Sequence, residues 1–258
     1  MKENYRKEIR GNDGIRKTTA LVQYRMRIYG KENRFIMPLA AMLFMLYIMY
    51  SMKPAGVVSS FFMSSYMIFL IAVWNGFVMS SAEDPVMEQI QMLRVQNIFA
   101  YYVSKIVCLL LVGLAGTCIC LVLPVAVNVI NDGTLFERTL TGYDLFNAFL
   151  LLSGASFAGG TLGSILQPPM VLRERKTALL LTVLAAVLTI IKQALMQEIP
   201  LLKWILWILP PLERAGQIYG NADFFLLADT VKIFLLLMTY AVIYSMIKSV
   251  VSHRRKFV

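Results

Sequence analysis

The chain has 258 residues, of which 58% are hydrophobic and only 16% charged; a soluble domain is nearer half apolar with about a quarter of its residues charged. That balance excludes a soluble or secreted domain and predicts an all-α polytopic membrane protein, because a bilayer-spanning helix needs about 20 apolar residues and this chain holds several such runs. The net charge of +10 clusters at the flanks of those runs, where it reports orientation or contact with anionic lipid, and no basic, aromatic-bearing soluble module accompanies it that would point to nucleic acid.

Residues 1–34 are polar and basic, and no A-x-A-like site follows the first apolar run, so that run is expected to be a retained membrane helix rather than a cleaved signal peptide. Within this segment, 15–30 carries helical apolar spacing. Val22, Met26 and Tyr29 share a face flanked by Leu21, Tyr24 and Ile28, and Arg25 interrupts it with a side chain long enough to snorkel. The pattern predicts an amphipathic helix on the cytoplasmic membrane surface; a solvated basic tail is the other reading.

Six transmembrane helices are predicted in the domain 35–250. The first is 35–52, ended by Lys53-Pro54, and the second is 57–80. The third, 99–130, is longer than a bilayer needs, with Lys105 near one interface and Pro124 placed to kink its outer end. The fourth, 143–166, is stopped by Gln167-Pro168-Pro169. The fifth is 177–196, and the sixth, 228–250, leads into the basic tail 251–258. The apolar run Leu201–Leu209 is too short to span and ends in Pro210-Pro211, so 201–211 reads as a short outer interfacial helix, or a re-entrant one, with Trp204 and Trp207 on one side. With the N-terminus inside, nineteen Lys and Arg fall on the inner side and six on the outer, which predicts cytoplasmic termini at both ends.

Few residues offer chemistry. The three cysteines, Cys108, Cys118 and Cys120, lie in one apolar segment and read as small core- or lipid-facing groups; the single histidine, His253, is in the tail. Zinc held by a His-Glu-x-x-His pair is therefore excluded, and Ser156 in Gly154-Ala155-Ser156 has no histidine to activate it. There is no Gly-x-x-x-x-Gly-Lys-Ser/Thr phosphate loop. The spans carry few charges: Asp229 and Lys232 are spaced to pair locally, Asp144 stands at the start of the fourth span, and no carboxylate is expected near the midplane. Asn75 is a polar residue inside the second span and so a functional candidate. In the fourth span Ala155, Gly159 and Gly163 recur every four residues, and Ser156, Gly160 and Ser164 repeat the spacing one residue on. Such stripes let helix backbones approach closely; they read as plain packing, or as a moving seam or pathway wall.

The loop between the second and third spans is the densest in signals. Asp84-Pro85 suits an N-cap and first turn, and Val86, Ile90 and Leu93 then mark one face of a helix over 84–97, with Glu88 and Arg94 among its polar positions. It reads as a helix resting on lipid, or as a docking helix for a groove on a soluble partner.

Taken together, these features resemble the membrane subunit of an ABC transporter of the type-2 permease (exporter) family. The likeness rests on the basic amphipathic helix before the first span, the loop with Glu88, the 87–96 helix and Ser104-Lys105 beyond it, six spans with both ends inside, and the short outer segment Trp204–Pro211 ending in prolines. The family's usual Gly-Thr and Pro-Val/Leu-Ser elements are absent from the loop, where Leu93-Arg94-Val95-Gln96-Asn97 stands instead. The resemblance implies a permease in the cell membrane with no catalysis of its own. It also implies a separate ATP-binding subunit carrying ATP and magnesium, a second identical or similar permease, and a transported substrate. Glu88, Ile90, Leu93 and Arg94 would couple to the ATPase, and Ala155, Gly159, Gly163 and Asn75 would serve packing or pathway. A membrane-embedded enzyme or a non-transporting scaffold is the rival reading.

Overall fold

The computed structural model describes residues 2–31, 33–51, 53–81, 90–93, 95, 98–165, 174–199, 201, 203–220 and 222–256. The helices, in chain order, are α1 (Lys2–Lys31), α2 (Ile36–Met49), α3 (Val57–Ser81), α4 (Ile98–Ile130), α5 (Gly142–Ile165), α6 (Arg175–Glu198), α7 (Lys203–Leu206), α8 (Glu213–Tyr219) and α9 (Leu227–Lys256); residues 90–93 are helical as well. Five of them, α3, α4, α5, α6 and α9, are long and apolar enough to cross a membrane. The protein is an all-helical, multi-pass membrane protein.

The first predicted span is shorter than expected. α2 has 14 residues, about 21 Å at 1.5 Å per residue, against about 30 Å of hydrocarbon. It meets α1 at a bend of 73°, and a sixth crossing exists only if α1 and α2 are taken together as one broken span. Residues Asn33 and Phe35 occupy the bend, Asn33 with a positive φ of 52° that asparagine tolerates better than most residues. Pro38, Met42 and Leu46 form the inner stripe of α2, continued by Tyr50 just past its end, while Phe44 and Tyr47 face outward.

α5 is the axis of the bundle. Its most apolar stretch is 83% buried, against 17–28% for α4, α6 and α9, because α3, α4 and α9 all pack on it. Its small residues make this possible. A Cβ on Gly159 would stand 2.5 Å from the Phe69 carbonyl oxygen, and one on Gly163 would stand 2.0 Å from that of Val73. From the other helix, a Cβ on Gly76 would stand 2.1 Å from the Gly160 carbonyl oxygen. Such contact leaves no room for any side chain, so Gly159 and Gly163 of the small-residue stripe are spent inside this chain, on α3.

At one end of the bundle the α2–α3 and α4–α5 connections clasp. The Ala55 amide donates to Leu135 (2.9 Å), the Glu137 amide donates to Ala55 (3.1 Å), and Phe136 stacks on Phe61. The turn leaving α4 places Asp132 and Gly133 at positive φ, which a glycine adopts without cost. α5 then starts with a capping box: the Asp144 amide donates to Thr141 Oγ1 (3.2 Å) and the Thr141 amide donates to the Asp144 carboxylate (3.1 Å). Arg138 adds two 2.7 Å hydrogen bonds to that carboxylate, which raise the arginine's pKa above its ordinary value. At the opposite end Lys248 of α9 donates to Ser80 of α3 at 2.9 Å.

Candidate functional site

Three places gather the polar and exposed apolar groups that a membrane bundle would otherwise avoid. The first is where α1 meets α4. The sequence places Val22, Met26 and Tyr29 on the packing face and expects Arg25 to interrupt it. The buried line is instead Leu21, Arg25 and Tyr29, four residues apart, so one face meets α4 along its length. Arg25 is 7% exposed and its guanidinium lies 4.5 Å from the centroid of the fully buried Tyr101 ring, with the Lys105 ammonium at 4.9 Å. The ring face attracts a cation electrostatically, which seats Arg25 against protein rather than letting it snorkel to water. Tyr29 donates a 2.8 Å hydrogen bond to Asn75 Oδ1, so Asn75 ties α1 to α3.

The loop between α3 and α4 leans on this corner. Met92 is buried with Leu21, Tyr101 and Tyr102, and Val95 packs against them. Ile90 and Leu93 point the other way, 52% and 74% exposed. The predicted site residues are thus divided: Ile90 and Leu93 form an apolar outer face, whereas Glu88 and Arg94 lie outside the described residues, as does most of the predicted helix 84–97.

The second place is the segment between α6 and α9, where the sequence leaves open an interfacial or a re-entrant course. Tyr244 donates to the Ile208 carbonyl and Tyr240 donates to the Trp207 carbonyl at 2.9 Å; these tyrosines lie about 25 and 20 Å along α9 from Leu227. Lys192 of α6 donates to the Leu209 carbonyl at 3.2 Å. The chain then returns through α8 to Tyr219, whose hydroxyl is paired with Thr230 close to the start of α9. The segment therefore runs along α9 and turns back towards its start, and three donors from neighbouring helices satisfy the carbonyls left open where α7 breaks off. That is the condition under which irregular backbone is tolerated within a membrane domain. Trp204 and Trp207 face away from the bundle.

This course also buries a carboxylate. Glu213 of α8 is 5% exposed and pairs with Lys192 at 3.1 Å. Pro210-Pro211 marks a break but gives no direction for the chain beyond it, so only the tertiary structure reveals that Lys192 and Glu213 meet. Glu213 Oε2 has no hydrogen-bond partner among the described residues.

The third place is the cleft enclosed by the α1–α2 bend, α3, α4 and α5, lined in part by Asn75 and Ser156. The expected local pair at the start of α9 forms: Lys232 donates to Asp229 at 3.0 Å, on the surface. Comparison with family models, with curated proteins and with solved structures found no match.

Proposed function

We propose that this chain is the permease subunit of an ATP-driven exporter of the ABC type-2 kind in the cell membrane, with both termini cytoplasmic and the ATPase in a separate subunit. The observation that supports this reading best is the outward face of Ile90 and Leu93. These apolar side chains stand clear of the bundle while their neighbour Met92 is anchored against Leu21, Tyr101 and Tyr102. An exposed apolar face on a firmly seated short segment suits insertion into a groove of a soluble partner. Movement of such a partner would pass through Met92 to α1 and α4, and through the Tyr29–Asn75 bond to α3, giving a bundle with two arrangements whose balance ATP binding shifts.

In this reading Glu88 and Arg94 supply the charged contacts beside Ile90 and Leu93, a second permease copy or a similar permease completes the pathway, and membrane lipid surrounds the pair. The test is purification of the tagged chain in mild detergent with mass identification of what accompanies it, for the native protein and for Leu93→Asp. A stoichiometric ATP-binding subunit that is lost from L93D, with L93D still folded, supports the reading. A native chain that purifies alone under conditions that preserve known transporter complexes overturns it.

A further inference from the structure

α1 turns one face to the bundle and the other away from it. Leu21, Arg25 and Tyr29 are its buried line. Arg16, Arg27 and Lys31 are exposed. At 3.6 residues per turn these three fall within about 60° of arc on the side opposite that line, and at 1.5 Å per residue they extend over about 22 Å. None of them forms an ion pair among the described residues. Tyr24, 42% exposed, borders the same face.

The charge here is one-sided. From Ile15 to Arg34 the sequence has Arg16, Lys17, Arg25, Arg27, Lys31 and Arg34 against Glu32 alone, an excess of positive charge that Glu32 cannot cancel. A solvated helix face mixes the two signs, whereas a basic face with an aromatic border suits a membrane surface.

The helix also lies at the level where α4 enters the bilayer. Cys108 Sγ donates to the Val22 carbonyl at 3.6 Å, and Arg25 sits over Tyr101. Between those two positions of α4 stands Lys105, its last charged residue, since Ile106–Ile130 carries none. An uncharged run of that length crosses the hydrocarbon, so α1 meets α4 at the headgroup boundary. A few residues after Lys31 come Phe35, Ile36 and Met37, all exposed, which open the lipid-facing surface of α2.

We propose that the outward face of α1 binds anionic phospholipid headgroups of the adjoining leaflet, with Arg16, Arg27 and Lys31 meeting phosphate and Tyr24 lying among the headgroups. Guanidinium and ammonium groups form charge-assisted hydrogen bonds to phosphate oxygens, and tyrosine favours the membrane–water interface. The apolar spacing that the sequence offers to the membrane is largely spent on α4, so charge rather than insertion holds this helix to lipid. The proposal needs neither an ATPase nor a second permease, so its failure and that of the transport reading are distinguishable.

The experiment places the full chain in phosphatidylcholine nanodiscs containing phosphatidylglycerol with a photoreactive headgroup; a phosphatidylcholine with the same group is the neutral probe. Crosslinks are mapped by mass spectrometry. The anionic probe is expected to label 16–31, at Gln23 and Tyr24 among others, well above the neutral one, and to lose that preference at high salt. Arg27→Gln with Lys31→Gln is expected to lower the labelling about fivefold per charge removed. Arg27→Lys with Lys31→Arg, which keeps both charges, is expected to retain it. Lys203→Gln with Arg214→Gln, the same loss of charge on α7 and α8, is expected to change nothing.

Equal labelling by the two probes overturns the proposal, as does an unlabelled face, which would be solvated or covered by a soluble partner. An equal loss in K203Q/R214Q would mean that net charge, not this face, attracts the lipid. Displacement of the probe by soluble glycerol phosphate would assign the face to free phosphate and overturn the membrane source.

Discussion

Lys192 and Glu213 form an ion pair of 3.1 Å in which both side chains are less than a tenth exposed, and this contact fastens α6 to the returning helix α8. Breaking a buried pair leaves one charge uncompensated and costs about 3–5 kcal/mol. Glu213→Ala is therefore expected to lower the melting temperature of the purified protein and to expose the 199–212 segment to protease. Replacing both partners, Lys192→Met with Glu213→Leu, is expected to recover most of that loss. A double variant no more stable than E213A would show that the pair is not what holds the segment.

The α3–α5 seam predicts opposite outcomes for two similar substitutions. Gly163→Ala forces a methyl group to 2.0 Å from the Val73 carbonyl oxygen, so the backbones must part; overpacking of this kind costs about 1–3 kcal/mol or more. Gly116→Ala meets only ordinary contacts at 3.8 Å or beyond and gains helix propensity of about 0.5–1 kcal/mol. Thermal unfolding in detergent is expected to place G163A below the native protein and G116A at or above it.

Arg25 is expected to matter through its seat on Tyr101 as well as through its charge. A desolvated cation–π contact contributes about 2 kcal/mol. Tyr101→Leu keeps the apolar volume but removes the ring face, and is expected to loosen α1, read as faster hydrogen exchange of 21–29 or earlier cleavage after Arg27. Unchanged exchange in Y101L would mean that the apolar contacts of Leu21 and Tyr29 hold the helix alone.

Asp144 closes the capping box of α5 and accepts both hydrogen bonds from Arg138. Asp144→Ala keeps the Asp144 amide bond to Thr141 but loses the carboxylate half of the capping box, and strands the guanidinium. Asp144→Asn keeps an acceptor for the Thr141 amide and is expected to fall between D144A and the native protein in melting temperature. If D144A melts with the native protein, the clasp at this end of the bundle is carried by Ala55, Leu135 and Glu137 instead.

The sequence by itself determined the class of protein, the helices α3, α4, α5, α6 and α9 to within a few residues, and the small-residue stripe of α5, because length, apolarity and fourfold spacing are local properties of one helix. It also placed an amphipathic helix before the first span, with Arg25 interrupting its apolar face and long enough to snorkel, whereas in the structure that side chain is buried over the Tyr101 ring. Only the tertiary structure decided that the stripe at Gly159 and Gly163 is consumed by α3. It alone brought Glu213 to Lys192, and it turned Arg16, Arg27 and Lys31 away from the bundle. Each of those outcomes depends on which surface of a second helix faces the first, and on the direction a chain takes after a proline. Neither is written in the periodicity of a single segment; both are settled when helices compete for the same close approach.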